Sequence, residues 1–349
     1  MSKMTPVIGW DLGGANLKLA CIEGGRAVQV NLIPCPPQQD AVKFDSAIAQ
    51  ALPLCPSGAA HAVTMTGELS DVFSDRTKGV AYLVEMMRKT IGGEAMFYAG
   101  RAGFVRNGAA VEHAYDVASA NWHASAALIA QHVPDALFID AGTTTTDLVP
   151  VKDGAVAAKA YSDGERLAMR ELVYTGVVRT PVMAVTRTAP FDGRMQGIAA
   201  ERFATMADVW RLLDALPAGA DPYPTPDLAG KSPQESASRL ARMLGRDAAT
   251  VEHASIVALA RHLGDCQLAE IEAAARALVA RETLIAEAPV IGAGCGRFIA
   301  RHVAARLGRR YRDFAELIDC AADAREMVAV CAPAVSVALL AAHGLTGKA

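Results

Sequence analysis

The sequence predicts an α/β protein built from two duplicated domains. The chain has 349 residues, more than twice a common domain length of about 150. Residues 7–32 and 136–161 also share one grammar. Each reads as a strand ending in an acid, a glycine turn, a second strand, another glycine turn and a third strand. Composition agrees: 52% hydrophobic side chains exclude disorder and allow a substantial core without disulfides or a structural metal.

The 34 basic and 37 acidic residues leave a net charge of −3. That balance argues against a sequence-independent grip on nucleic acid and against a polybasic membrane attachment. The seven cysteines are odd in number and form no C-x-x-C pair, so reduced thiols in a cytoplasmic enzyme are expected. Met1–Pro6 runs straight into a strand-like segment and does not read as a signal peptide. The longest apolar stretch, Val328–Ala342, is interrupted by Pro333 and Ser336 and is too short for a bilayer.

Val7–Asp11, Leu17–Glu23 and Ala27–Leu32 read as strands, with Gly24-Gly25 as a hairpin turn. Pro34, Pro36 and Pro37 break that pattern. A helix over Phe44–Leu52, a buried strand at His61–Met65 and a helix over Val80–Ile91 follow. A short strand at Met96–Tyr98 and an Ala-rich helix over Ser119–His132 complete the first domain. The second opens with strands Ala136–Asp140, Leu148–Lys152 and Ala155–Ala160. Helices are expected near Arg166–Tyr174, Ala199–Leu216, Pro233–Leu244, Thr250–Leu263 and Asp265–Ala288, and proline-rich Asp221–Asp227 is a loop. Pro289–Gly292 reads as a strand, Arg297–Leu307 as a helix and Ala332–Ala342 as a closing helix. Domain limits of 1–132 and 133–327 result, with a helical insertion at about 199–288 and residues 328–349 packing back on the first domain. Ala-rich helices could pack internally or between two copies, so a homodimer stays open.

Four segments carry chemistry. In Trp10–Lys18 an acid ends the strand, Gly13 and Gly14 let the backbone approach an anion, and Asn16 and Lys18 supply donors. Ile139–Asp147 repeats the arrangement with Asp140, Gly142, Thr143 and Thr144. Two such turns facing across a cleft would let Asp11 and Asp140 hold a hydrated Mg²⁺, which takes one or two carboxylates plus substrate phosphates. Val290–Arg297 enters a helix through Gly292, Gly294 and Gly296, a pattern suited to an anion or a nucleoside edge. Thr64–Asp71 follows a buried strand and offers Glu68 and Asp71 as base or metal ligand. Each segment also has a bland reading: glycines for turning, a Thr-rich strand edge, acids capping a helix.

The order WDLGGANLK, TMTGELSD, FIDAGTTTTDLV and VIGAGCGRF resembles the hydantoinase/oxoprolinase-like family of the actin, sugar kinase and heat-shock ATPase superfamily. The likeness covers nearly the whole chain, and the branch it points to is tied to tetrahydromethanopterin-linked one-carbon metabolism. It implies two actin-like (ribonuclease H-like) domains around a central cleft. The chemistry it implies belongs to methanofuran or methylofuran biosynthesis. An aminomethylfuran diphosphate loses pyrophosphate while the phenol oxygen of a γ-glutamyl tyramine or tyrosine forms an ether. The superfamily's nucleoside turn usually has adjacent glycines, whereas Ala293 and Cys295 intervene here and Arg297 follows. That departure argues against ATP and for a phosphate site reused for a diphosphate substrate.

On this reading Mg²⁺ sits on Asp11, Asp140 or both. The diphosphate meets Gly13, Gly14, Asn16, Lys18, Gly142, Thr143, Thr144, Gly292, Gly294 and Gly296. Glu68, Asp71 and Asp140 form the candidate catalytic set, with Glu68 and Asp71 as proton acceptors for the phenol and His123 behind them. Asn121, Trp122 and Arg297 are the candidate substrate contacts, Trp122 by stacking on furan or phenol, although core packing would equally account for it. The arginines between 301 and 312 read as a solvated helix face. An ATP-dependent phosphotransferase or amide-opening enzyme, and an actin-like assembly protein, are the competing readings.

Overall fold

The computed structural model describes residues 5–35 and 42–346. Pro36, Pro37 and the chain ends lie outside them. The chain forms two compact units and passes between them more than once. One unit holds the residues up to 136, 149–166 and those from 312 onward; the other holds 137–148 and 167–311.

The first unit is built on a six-stranded sheet ordered β3-β2-β1-β4-β5-β6. Its strands are β1 (Val7–Leu12), β2 (Asn16–Glu23), β3 (Arg26–Pro34), β4 (Ala60–Met65), β5 (Met96–Tyr98) and β6 (Phe104–Arg106). β1 pairs antiparallel with β2 and parallel with β4, so Asp11 has Lys18 on one side and Thr64 on the other. Ile8, Trp10, Leu12, Val63 and Met65 are buried on that sheet. The closing helix Ala332–Thr346 lies directly on β1: a Cβ at Gly9 would overlap the carbonyl oxygen of Ala334. The helix expected from Val80 starts earlier, at Arg76, because Asp75 caps it by accepting from the Lys78 N–H at 2.9 Å.

The second sheet uses β7 (Ala136–Ala141), β8 (Thr146–Lys152), β10 (Leu172–Val173), β13 (Val290–Ala293) and β14 (Tyr311–Asp313) in the order β10-β8-β7-β13-β14, with the short β9 (Ala155–Val156) paired to β8. The parallel register of β13 and β7 sets Ala293 opposite Asp140.

Three helical expectations between residues 163 and 288 are corrected. Around 166–174 the helix covers only Asp163–Ala168; Arg170 then takes φ 58°, and β10 pairs Leu172 with Asp147. In 199–216 only Met206–Leu212 is helical, started by a Thr205–Asp208 capping box. The two stretches 250–263 and 265–288 form mainly one helix, His253–Arg281, which runs through Gly264. Gly264 does not break it; a Cβ there would come 2.9 Å from the Trp210 ring, so the glycine is a packing notch. A hairpin of β11 (Thr188–Phe191) and β12 (Arg194–Gly197) was not expected, although Asp192-Gly193 at its tip is a strong local hairpin signal. Among the described residues no helix is long and apolar enough to cross a membrane, and all seven cysteines are free thiols.

Candidate active site

Tight pairing of β1 and β2 sets Lys18 Nζ 3.0 Å from Asp11 Oδ2. Asp11 is almost wholly buried, and its Oδ1 has no hydrogen-bond partner; neither does Oγ1 of the adjacent buried Thr64. Buried oxygens without partners are costly. A hydrated Mg²⁺ fits this donor set, since it needs few protein oxygens and keeps waters. Among the described residues no cluster of three or more acidic, His or Cys side chains offers a fuller cage.

The amide contribution is corrected in part. Gly13 N–H donates within its own turn, to the Asp11 and Asn16 carbonyls at 3.1 Å each, and Gly142 N–H donates to Thr145 O at 2.8 Å. Both donors are committed within their turns, and Lys18 is the cation that the first turn carries.

The Thr64–Asp71 segment packs against that turn. Thr66 N–H donates to Leu12 O at 3.1 Å, and a Cβ on Gly14 would contact Gly67 Cα at 4.0 Å. Two of the four predicted segments therefore meet in the first unit. Glu68 is 1% exposed, pressed by the helix Arg76–Ile91 at Gly79, whose added Cβ would lie 2.7 Å from Glu68 Cα. Burial pushes its carboxyl up to about 7, against the lowering effect of a hydrogen bond from Ser119 and of nearby Arg76. Ser119 Oγ donates to Oε1 at 2.9 Å, while Oε2 is buried without a partner. Asp71 is exposed, so only Glu68 of the expected pair has a desolvated carboxyl.

A cluster of rings stands beside Ser119. Trp122 is buried, and the Arg166 guanidinium lies 3.9 Å from its ring centroid. The Tyr161 and Trp122 ring centroids are 5.9 Å apart, and the Arg101 guanidinium lies 4.2 Å from the Tyr161 centroid. His123 Nδ1 is 2.9 Å from the Tyr98 hydroxyl. Burial, with Arg101 and Arg166 nearby, lowers His123 to about 4, so it stays neutral at neutral pH. Asn121 is half-buried at the start of the same helix. Sequence reasoning missed Ser119, Arg101, Tyr161 and Arg166; only the ring-rich spacing of Trp122-His123 hinted at the cluster.

In the second unit the other two segments meet. Half-buried Asp140 ends on β7, and a Cβ on Gly294, which has φ 83°, would overlap both its Oδ1 and the Ala141 carbonyl. Gly296 N–H donates to Ala141 O at 2.8 Å. The missing Cβ atoms of Gly292 and Gly296 face Tyr311 and Val177 respectively, each 2.6 Å away. A side chain at any of these glycines would run into its neighbours, so they allow close packing of the turn. Thr143 and Thr144 are half-buried with their hydroxyls 3.4 Å apart. Their turn rests on the 175–180 loop, where Val178 and Arg179 N–H groups donate to Thr143 O. Gln267 holds that loop through Thr175 Oγ1 at 2.7 Å and Gly176 O at 3.0 Å. Arg297 is half-buried at the first position of its helix.

The hydantoinase/oxoprolinase family model matches residues 59–318. The chain belongs to that family. Two curated relatives bear the name (4-{4-[2-(gamma-L-glutamylamino)ethyl]phenoxymethyl}furan-2-yl)methanamine synthase. The one from Methanocaldococcus jannaschii is 29% identical over 258 residues, 74% of this chain and 77% of its own. The one from Methanococcus vannielii is 32% identical over 111 residues, 32% of this chain and 50% of its own. Nucleotide-free acetone carboxylase superposes with a TM-score of 0.62 at 10% identity, covering 96% of this chain and 70% of that one. At that identity the likeness shows the fold alone. The family and the actin-like fold expected for this hydantoinase/oxoprolinase member from its motif order both hold.

Proposed function

We propose that this chain is a transferase of methanofuran- or methylofuran-type cofactor biosynthesis. It joins an aminomethylfuran methyl diphosphate to the phenol oxygen of a γ-glutamyl tyramine or tyrosine and releases pyrophosphate. The coarse class, an enzyme acting on small molecules, is supported by the two synthase relatives, whose name describes a phenoxymethyl-furan ether. The observation that carries the finer reading is the buried, partly unpartnered carboxyl of Glu68, whose chain neighbour Gly67 packs against the Gly13-Gly14 turn. The same unit holds the Asp11–Lys18 pair, one strand-end turn away in the fold from the segment that carries this carboxyl.

The reaction asks little covalent chemistry of the protein. The furfuryl C–O bond breaks and its electron pair leaves with pyrophosphate, while the furan oxygen delocalises the developing cation. Lys18 meets the growing negative charge, and positioned charge of this kind is commonly a large catalytic term. Asp11, from this unit, would hold Mg²⁺; bound there, the ion would supply further neutralisation of the departing diphosphate. The phenol oxygen, with an ordinary pKa near ~10, attacks the furfuryl carbon and passes its proton to Glu68 Oε2. A base near 7 is well matched to neutral pH.

The test is turnover of the furan diphosphate with γ-glutamyl tyramine or tyrosine, following pyrophosphate release and the ether by mass spectrometry. Glu68→Gln should lower kcat by about 10²-fold or more. Titration calorimetry with Mg²⁺ should show pyrophosphate bound tightly and ATP negligibly. ATP turnover without ether formation would replace this reading with a phosphotransferase.

A further inference from the structure

Ser119 is buried, yet its backbone takes φ 53°, the left-handed region that favours glycine. A serine held there costs roughly 1 kcal/mol or more, and such strain persists only where the surroundings over-determine it. Glycine would sit there without strain, so the side chain must supply something. What it supplies is the 2.9 Å hydrogen bond from Oγ to Glu68 Oε1. The conformation is fixed on the preceding side by a bridge between Ala118 and Met65, the last residue of β4. The carboxyl is thus locked through one oxygen, while the other is buried without a partner.

The same serine lines a small cavity of about 40 Å³ with Arg101, Trp122, His123 and Tyr161. That volume admits a hydroxyl or a water rather than a whole ring. Arg101, Asp116 and the neutral imidazole of His123 are among its lining groups, Arg166 stacks on the Trp122 ring, and Glu68 itself feels Arg76 and Asp163.

We propose that Ser119 is a positioning residue, which orients Glu68 so that Oε2 takes the proton of an aromatic acceptor's hydroxyl. The inference rests on the transfer reaction proposed above and deepens it. As the phenol O–H bond breaks, its proton goes to Glu68 Oε2. The new carbon–oxygen bond forms as the diphosphate leaves with its electron pair.

Ser119→Ala removes the hydroxyl and keeps the strain; Ser119→Gly removes both. In both variants the acid limb of the kcat/KM profile should move up by about 0.5–1 pH unit, because the bond that favours ionised Glu68 is lost. At pH 7, kcat should fall about tenfold with KM for the diphosphate unchanged, and the Gly variant should melt above the Ala variant because only it sheds the strain. An unmoved acid limb in both variants overturns the proposal. Infrared titration of the Glu68 carboxyl, assigned by its loss in Glu68→Gln, separates this from the parent reading. If the wild type makes no ether, the parent reading fails. The carboxyl's titration must still shift upward in Ser119→Gly for the positioning role to stand, and no shift overturns it.

Discussion

Asp11 and Lys18 are direct register partners on β1 and β2, and their side chains meet at 3.0 Å across the sheet. Asp11 is buried whereas the Lys18 side chain is 22% exposed, so the pair presents its cation toward solvent. Lys18→Ala should weaken pyrophosphate binding about ten- to a hundredfold, the range for a lost hydrogen bond to a charged group. Asp11→Asn should abolish the Mg²⁺ dependence of that binding while leaving the melting temperature near wild type. Calorimetry with and without Mg²⁺ reads both, and loss of folding in Asp11→Asn would make the acid structural.

Glu68 makes stability depend on pH in a defined direction. Its folded pKa is raised by burial from 4.5 to about 7, so the protonated carboxyl suits the fold and ionisation works against it. This contribution is fully present below about pH 4.5 and is lost as pH rises through about 7. A shift of this size corresponds to roughly 3 kcal/mol. Glu68→Gln should therefore raise the melting temperature at pH 8 and change it little at pH 4.5. Turnover of the wild type should rise over the same interval, since the base must be ionised. Melts of both proteins across pH 4–9 check the sign.

Gly294 and Gly142 should part company. Gly294→Ala places a methyl on a left-handed backbone and onto Ala141 O and Asp140 Oδ1, so a fall in melting temperature of several degrees is expected. Gly142→Ala meets only Thr145 O at 3.3 Å and should fold almost normally. Equal thermal stability of the two variants would mean that the Asp140 turn relaxes to accept the methyl.

Gln267 ties three groups together: its Oε1 accepts from Trp210 Nε1 at 2.8 Å, and its Nε2 donates to Thr175 Oγ1 and Gly176 O. Gln267→Leu strands an indole N–H and a carbonyl inside the second unit. A loss of about 2–4 kcal/mol is expected in urea melts. A loss below 1 kcal/mol would mean that water enters to replace the amide.

Much of the molecule was legible because its signals are local. Strand Met96–Tyr98 and helix Arg297–Leu307 fall where period and glycine punctuation put them. The errors came where a distant partner overrides a local rule. Gly264 reads as a helix break until Trp210 packs on it, and Leu172-Val173 reads as helix until β8 pairs with it.

By itself the sequence determined the two acid–glycine turns, their strand setting, the family and the actin-like fold, because each motif is a short backbone device whose residues are contiguous. Only the tertiary structure decided which of two acids is desolvated. Glu68 and Asp71 are three residues apart and alike in chemistry, but a neighbouring helix buries one and solvent covers the other. It also decided that Ser119, fifty-one residues away in the chain, holds that carboxyl. Burial and hydrogen-bond pairing are sums over segments remote in sequence, and no local pattern carries them.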